Sequence, residues 1–159
     1  MKFNSQICTS REQSERLLAL GLKKETADMT WHFSYMMKGE PQYDLLAEST
    51  WDEDTIQRYV ENGVKMTLFD HWKHSDGTQM TPLEIYAEIT KKDIPAWSLH
   101  RLIEMLGEVI QTNGKYLSLP DFGFYEGQNL YDNVINCIEW LIKEGYFNKE
   151  LIEQCKELL

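Results

Sequence analysis

The chain has no run of eighteen or so apolar residues, the length a helix needs to cross a bilayer, and its opening stretch MKFNSQICTSREQ has no apolar signal core. A membrane partner and export are therefore not expected, and the expected location is the cytoplasm. Cysteine is scarce. Cys8, Cys137 and Cys155 are widely separated, odd in number and in no CxxC arrangement, which suits reduced, buried thiols rather than a disulfide framework. Positive charge is scarce too: 16 basic residues face 26 acidic ones, the formal net charge is -10, and the only adjacent basic pairs are Lys23-Lys24 and Lys91-Lys92. Binding to a phosphate backbone needs clustered positive charge, so no direct nucleic-acid partner is expected. Excess acid suits solubility, a basic protein surface, or a decoy that imitates DNA.

Signatures of known chemistry are also missing. There is no HExxH, GxSxG or GxGxxG. The sequence TNGKY carries Gly114-Lys115, but Val109 and Tyr116 stand where a phosphate-binding loop needs glycine and Ser or Thr, so an Asn-Gly turn accounts for it. No histidine neighbours Cys137 in sequence, and covalent catalysis has no positive support. The balance leans away from an enzyme, with no cofactor expected.

What remains describes a packed body. At 159 residues, 42% hydrophobic and 26% charged, the chain fits a single globular domain, with 38–49 as a flexible insert. Thr9 and Glu12 have capping-box spacing ahead of a helix from about Ser10 to Leu20 that Gly21 closes. Trp31, Phe33 and Tyr35 alternate with His32 and Ser34, the period of a strand. That alternation turns His32 away from the aromatic face, as an exposed strand histidine. KGEPQYDLLAEST reads as a loop with a helical turn near Leu45. From Asp52 the spacing of Ile56, Tyr59, Val60 and Val64 is helical, with Asp52, Glu53 and Asp54 suited to a helix N-terminus. Beyond it Val64, Met66, Leu68 alternate like a strand while Val64, Leu68, Trp72 keep the helical period, and periodicity alone does not choose.

Thr81-Pro82-Leu83-Glu84 is the clearest helix start, predicting a helix to about Thr90. Pro95 introduces a second, with Leu99, Leu102, Ile103 and Leu106 as its apolar stripe and His100 on the solvated face. Leu117 to Phe124 resembles two strands around Pro120-Asp121. In NLYDNVINCIEWLIKEG a helix that Gly145 closes places Leu130, Val134, Cys137, Ile138 and Leu141 on one face, and a last stripe runs through Leu151, Ile152, Cys155, Leu158 and Leu159 after an Asn148 cap. The expected class is α+β, with five or six amphipathic helices on a small antiparallel sheet.

One tract carries potential chemistry. In LFDHWKHSDG, the residues Asp70, His71, His74 and Asp76 are the right types for a divalent metal. On a helix His71 and His74 share a face, as do Asp70 and His74; on a strand running into a turn, neighbouring side chains diverge. SDG is a turn sequence that needs no ligand. The tract thus reads either as a polar turn or as the metal site of a hydrolase with metal-activated water. Trp51 and Trp72 flank this region and are the candidate interface aromatics.

The segments TSREQSERLLALGLKKETADMTW, DIPAWSLHRLIEML and LYDNVINCIEWLIKEGYFNKE resemble a group of short proteins frequent in gut-bacterial genomes, their phages and mobile elements. The resemblance implies a bacterial or phage-encoded setting and carries over no catalytic residue. The leading expectation is a non-enzymatic accessory or regulatory protein acting through an unknown protein partner. The alternatives are the metal-dependent hydrolase and the acidic DNA mimic.

Overall fold

The computed structural model describes residues 6–35, 41–112 and 129–153. Its elements are α1 (Arg11–Ala19), β1 (Met29–Tyr35), β2 (Pro41–Leu46), α2 (Glu53–Lys65), α3 (Pro82–Ile89), β3 (Ile94–Ala96), α4 (Leu99–Thr112) and α5 (Leu130–Lys143), with a short 3-10 turn at Lys24–Thr26. The class is α+β, as the element order implies. The sheet has the order β2-β1-β3, and β1 and β2 are antiparallel with Phe33 opposite Tyr43 and His32 opposite Asp44.

Helix ends follow side-chain chemistry. At α3 the Thr81 hydroxyl accepts from Glu84 N at 3.3 Å and the Glu84 carboxylate accepts from Thr81 N at 2.7 Å, the reciprocal box that the sequence predicts. At α1 the box is displaced by one residue: Ser10 and Gln13 form it, at 3.2 and 2.9 Å, in place of Thr9 and Glu12. The reason is that Thr9 is fully buried, with its hydroxyl 2.8 Å from that of Ser14 and accepting from Trp97 N at 3.0 Å. Asp52 caps α2 through Thr55 N at 3.0 Å, and Asn129 caps α5 through Tyr131 N at 2.9 Å. Gly21 and Gly145 follow α1 and α5 at φ +87° and +71°, left-handed positions that terminate helices at little cost in glycine.

The chain divides into two compact units, a terminal one of Met1–Asp28 with Ala96–Leu159 and a central one of Met29–Pro95. The terminal unit has a continuous core in which Leu17, Trp97, Leu102, Met105, Ile135 and Ile138 are wholly buried. On α4 the buried stripe is Leu102, Met105 and Leu106, while Ile103, placed on that stripe by the sequence, is exposed. A satisfied polar seam surrounds Trp97: its indole N–H donates to Thr26 Oγ1 at 3.0 Å, Asp28 accepts from Ser98 N at 2.8 Å, and Arg101 Nε donates to Thr26 O at 2.9 Å. Glu139 bridges Arg16 of α1 and Lys143 of α5, and these hydrogen bonds, that from Lys143 foremost, lower its pKa to about 2. Burial raises the thiol pKa of Cys137 and takes that of Cys8 up to about 11, aided by Asp28.

Two further expectations change. β2 occupies Pro41–Leu46, where a loop with a helical turn was expected, because Tyr43 stacks edge-on against Phe33 across the strands at 5.3 Å between ring centroids. Proline stands at the strand's first position, where a missing N–H is tolerated. Residues 148–153 contain no helix: Leu151 and Ile152 are partly buried, and Ile152 bridges to Leu22. The two strands expected around Pro120, and Cys155, Leu158 and Leu159, lie outside the described residues.

Candidate functional site

The central unit resolves the ambiguity at residues 64–73. α2 ends at Lys65, Met66 caps it, and Thr67 adopts φ 54°, a left-handed conformation that reverses the chain. The segment that follows is neither strand nor continued helix. The reversal places the Phe69 ring directly over Gly63, so closely that a Cβ at that glycine would lie 2.0 Å from Phe69 Cζ. Gly63 is thus a contact surface inside a helix, where its low helix propensity would otherwise be a pure cost. Phe69 in turn sits 6.3 Å from the Tyr59 ring, and Tyr59 meets Tyr86 of α3 edge-on at 5.2 Å. The buried Tyr86 hydroxyl donates to Thr50 O at 2.7 Å. Burial, aided by the Asp93 and Glu48 carboxylates, pushes its pKa up to about 12.

On this base several large apolar side chains face solvent among exposed polar residues. Tyr59, Val64, Met66, Leu68, Trp72 and Leu83 are all exposed, Met66 by 65% and Leu83 by 61%. Beside them a cleft of about 140 Å³ is lined by Glu48, Thr55, Arg58, Tyr59, Asn62, Gly63 and Leu68, with Glu48 and Arg58 ion-paired at its rim. Trp51 is half-buried, whereas Trp72 belongs to the exposed set.

The Asp-His tract forms a turn beside this surface. His74 N donates to Thr78 O at 2.9 Å, Lys73 bridges to Gln79, and Gly77 takes φ +87°. The Asp76 carboxylate accepts from Thr78 N at 2.9 Å and from the Thr78 hydroxyl at 2.6 Å, and these bonds lower its pKa. His74 Nε2 lies 3.5 Å from Glu84 at the start of α3. Asp70 and His71 are exposed. Among the described residues, no group of three or more His, Cys, Asp or Glu side chains converges as a metal site would require.

A second polar centre was not legible in the sequence. His32 is partly buried, and its Nδ1 lies 2.9 Å from Asp93 Oδ1. The Asp93 side chain is fully buried and also accepts from Phe33 N at 3.1 Å. Burial raises the Asp93 pKa, while Phe33 N–H, His32 and the Thr50 hydroxyl pull the other way. No donor among the described residues reaches its Oδ2 with hydrogen-bond geometry. When the carboxylate is ionised and Nδ1 carries the proton, Nε2 is left as the acceptor, so the pair fixes the imidazole's orientation and tautomer. Alternation puts His32 on the opposite strand face from Trp31, Phe33 and Tyr35, but His32 is partly buried rather than exposed, because Asp93 covers it. That alternation could not reveal a partner 61 residues away in sequence.

No protein-family model, curated protein or solved structure matches the chain.

Proposed function

We propose that this is an accessory or regulatory protein that acts by binding another protein through the end of α2, the turn that follows it and the start of α3. The observation that carries the proposal is the concentration of six exposed large apolar side chains between Tyr59 and Leu83. Single exposed apolar residues are ordinary, but their concentration in one short stretch favours an interaction site. The base beneath it is held by Gly63, Phe69 and Tyr86. A surface fixed before binding loses less conformational entropy when a partner docks.

Site-specific photo-cross-linking in a bacterial cell that makes the protein tests this. A photoreactive residue at position 68 should yield one reproducible cross-linked protein, identified by mass spectrometry. The same residue at position 15, on the exposed side of α1, should not. No adduct at 68, or the same adducts at both positions, rejects the proposal.

A further inference from the structure

We infer that His32 and Asp93 form a proton-operated clamp within the central unit, which holds the turn between α3 and β3 against β1 while Asp93 carries a proton and loosens when that proton is lost. The geometry carries the argument. Asp93 closes the turn, its N–H donating to Thr90 O at 3.0 Å. Its carboxyl reaches β1, where Oδ1 accepts from Phe33 N at 3.1 Å and lies 2.9 Å from His32 Nδ1. Both contacts fall on one oxygen. The other, Oδ2, is buried and has no hydrogen-bond partner among the described residues.

That asymmetry makes Oδ2 the seat of the proton. A proton there leaves both Oδ1 contacts in place and removes the buried charge, at the smaller cost of one unpaired hydroxyl. An ionised carboxylate instead encloses a charged oxygen that no donor meets, which costs more. The groups facing the carboxyl do not cancel this. From β1 come the His32 imidazole and the Phe33 N–H, and from the segment after β2 the Thr50 hydroxyl; all three favour the ionised form, and burial outweighs them. On α3, Tyr86 stays neutral, its pKa pushed up to about 12. Lys92 directs its Nζ over the Phe33 ring, 4.5 Å from the centroid, and Asp44 stands opposite His32 across the strands. Opening the turn returns the carboxyl to water, where its ordinary value is about 4. Between that value and the folded one, opening becomes easier by up to about tenfold per pH unit, and beyond the folded value no further change follows.

Amide hydrogen exchange of the full-length protein, followed from about pH 4 to about pH 8 and corrected for the intrinsic rate, tests the clamp. Protection of the Phe33 amide, which donates to Asp93, should fall by at least about tenfold as pH rises and then level off. Asp93→Asn keeps an acceptor oxygen but cannot ionise, and should abolish the fall. His32→Leu removes a group that favours the ionised form, and should move the point of levelling to higher pH. The amide of Ile138 on α5 is the reference, and its protection should not follow that of Phe33.

Protection of Phe33 that is independent of pH in the parent, or that falls equally in Asp93→Asn, would overturn the inference. So would an equal fall at Ile138, which places the proton's effect in global unfolding rather than in a local clamp. Levelling at lower pH in His32→Leu would contradict the part assigned to the imidazole and reject the pair as the device. Where a variant does not fold, ¹³C titration of the Asp93 carboxyl in the parent decides. A midpoint above the ordinary carboxylate range supports the clamp, and one within or below it rejects the clamp.

Discussion

The two units of the chain differ in how many apolar residues they bury. In the terminal unit they line a continuous core, with Trp97 wholly enclosed and every polar group of its indole and peptide satisfied by Thr9 and Thr26. That unit also exposes large apolar side chains, namely Ile7, Leu18, Ile103, Leu130, Trp140 and Tyr146, the last two with ring centroids 5.9 Å apart. In the central unit the buried apolar residues beyond the sheet are few, chiefly Phe69, Ile85 and Tyr86, and six large apolar side chains within 59–83 face outward. Burial of one such side chain contributes roughly 1.5–3 kcal/mol. The lesson is that packing specifies the terminal unit, whereas the central unit buries few apolar side chains beyond its sheet, as the proposed binding role would allow.

Substitutions can break or sharpen that contrast. The largest loss should come from Trp97→Ala, which empties a fully enclosed site and removes the indole donor to Thr26 Oγ1; a destabilisation of about 3–5 kcal/mol is expected in urea unfolding. A loss below about 1 kcal/mol would mean that the terminal core is not close-packed. Gly63→Ala should cost about 1–3 kcal/mol, since the new Cβ must displace the Phe69 ring. It should also disturb the amides of the turn more than those of α5, which two-dimensional NMR would register. Thr67→Gly should act in the opposite direction. It relieves a β-branched residue at φ 54° and should raise stability by about 1 kcal/mol, and a decrease would show that the left-handed turn is held by the threonine side chain.

Asp93→Asn should alter the pH dependence of stability. Because the folded state holds this carboxyl's pKa above its unfolded value, the folded protein keeps the proton to higher pH. That contribution is complete below the unfolded carboxylate range, about pH 4, and is lost as pH rises through the folded value. The variant should therefore gain on the parent as pH rises above about 4 in thermal unfolding at matched ionic strength. A parent that gains on the variant over that range would contradict the direction of the shift. The smallest effect belongs to Met66→Ser with Leu68→Ser, within about 0.5 kcal/mol per site, because exposed side chains contribute little to folding. A larger loss would show that these residues serve the fold rather than a partner.

Much of the fold was legible in the sequence because helix ends and stripes are local. Thr81-Pro82-Leu83-Glu84 starts α3 as expected, and Val134, Cys137, Ile138 and Leu141 are buried on α5, whereas Leu130, expected with them, is exposed at the helix's first position. The displaced cap at Ser10 was not legible, since Thr9 is recruited by Trp97 from 88 residues away. The site was less accessible still. Val64, Met66 and Leu68 carry two competing periods, and the left-handed Thr67 that cancels both is set by tertiary packing. In the same way His32 shows its strand position in sequence but not Asp93, which only the fold brings to it.

Native-state hydrogen exchange, read amide by amide on the isolated protein, tests this division of labour most directly. The amides of α5 (Leu130–Lys143) should exchange only through global opening, with protection near the full unfolding free energy, while those of α2 and α3 should exchange through openings of distinctly lower free energy. Equal protection in the three helices would contradict the account, because the central unit would then be as firmly packed as the terminal one.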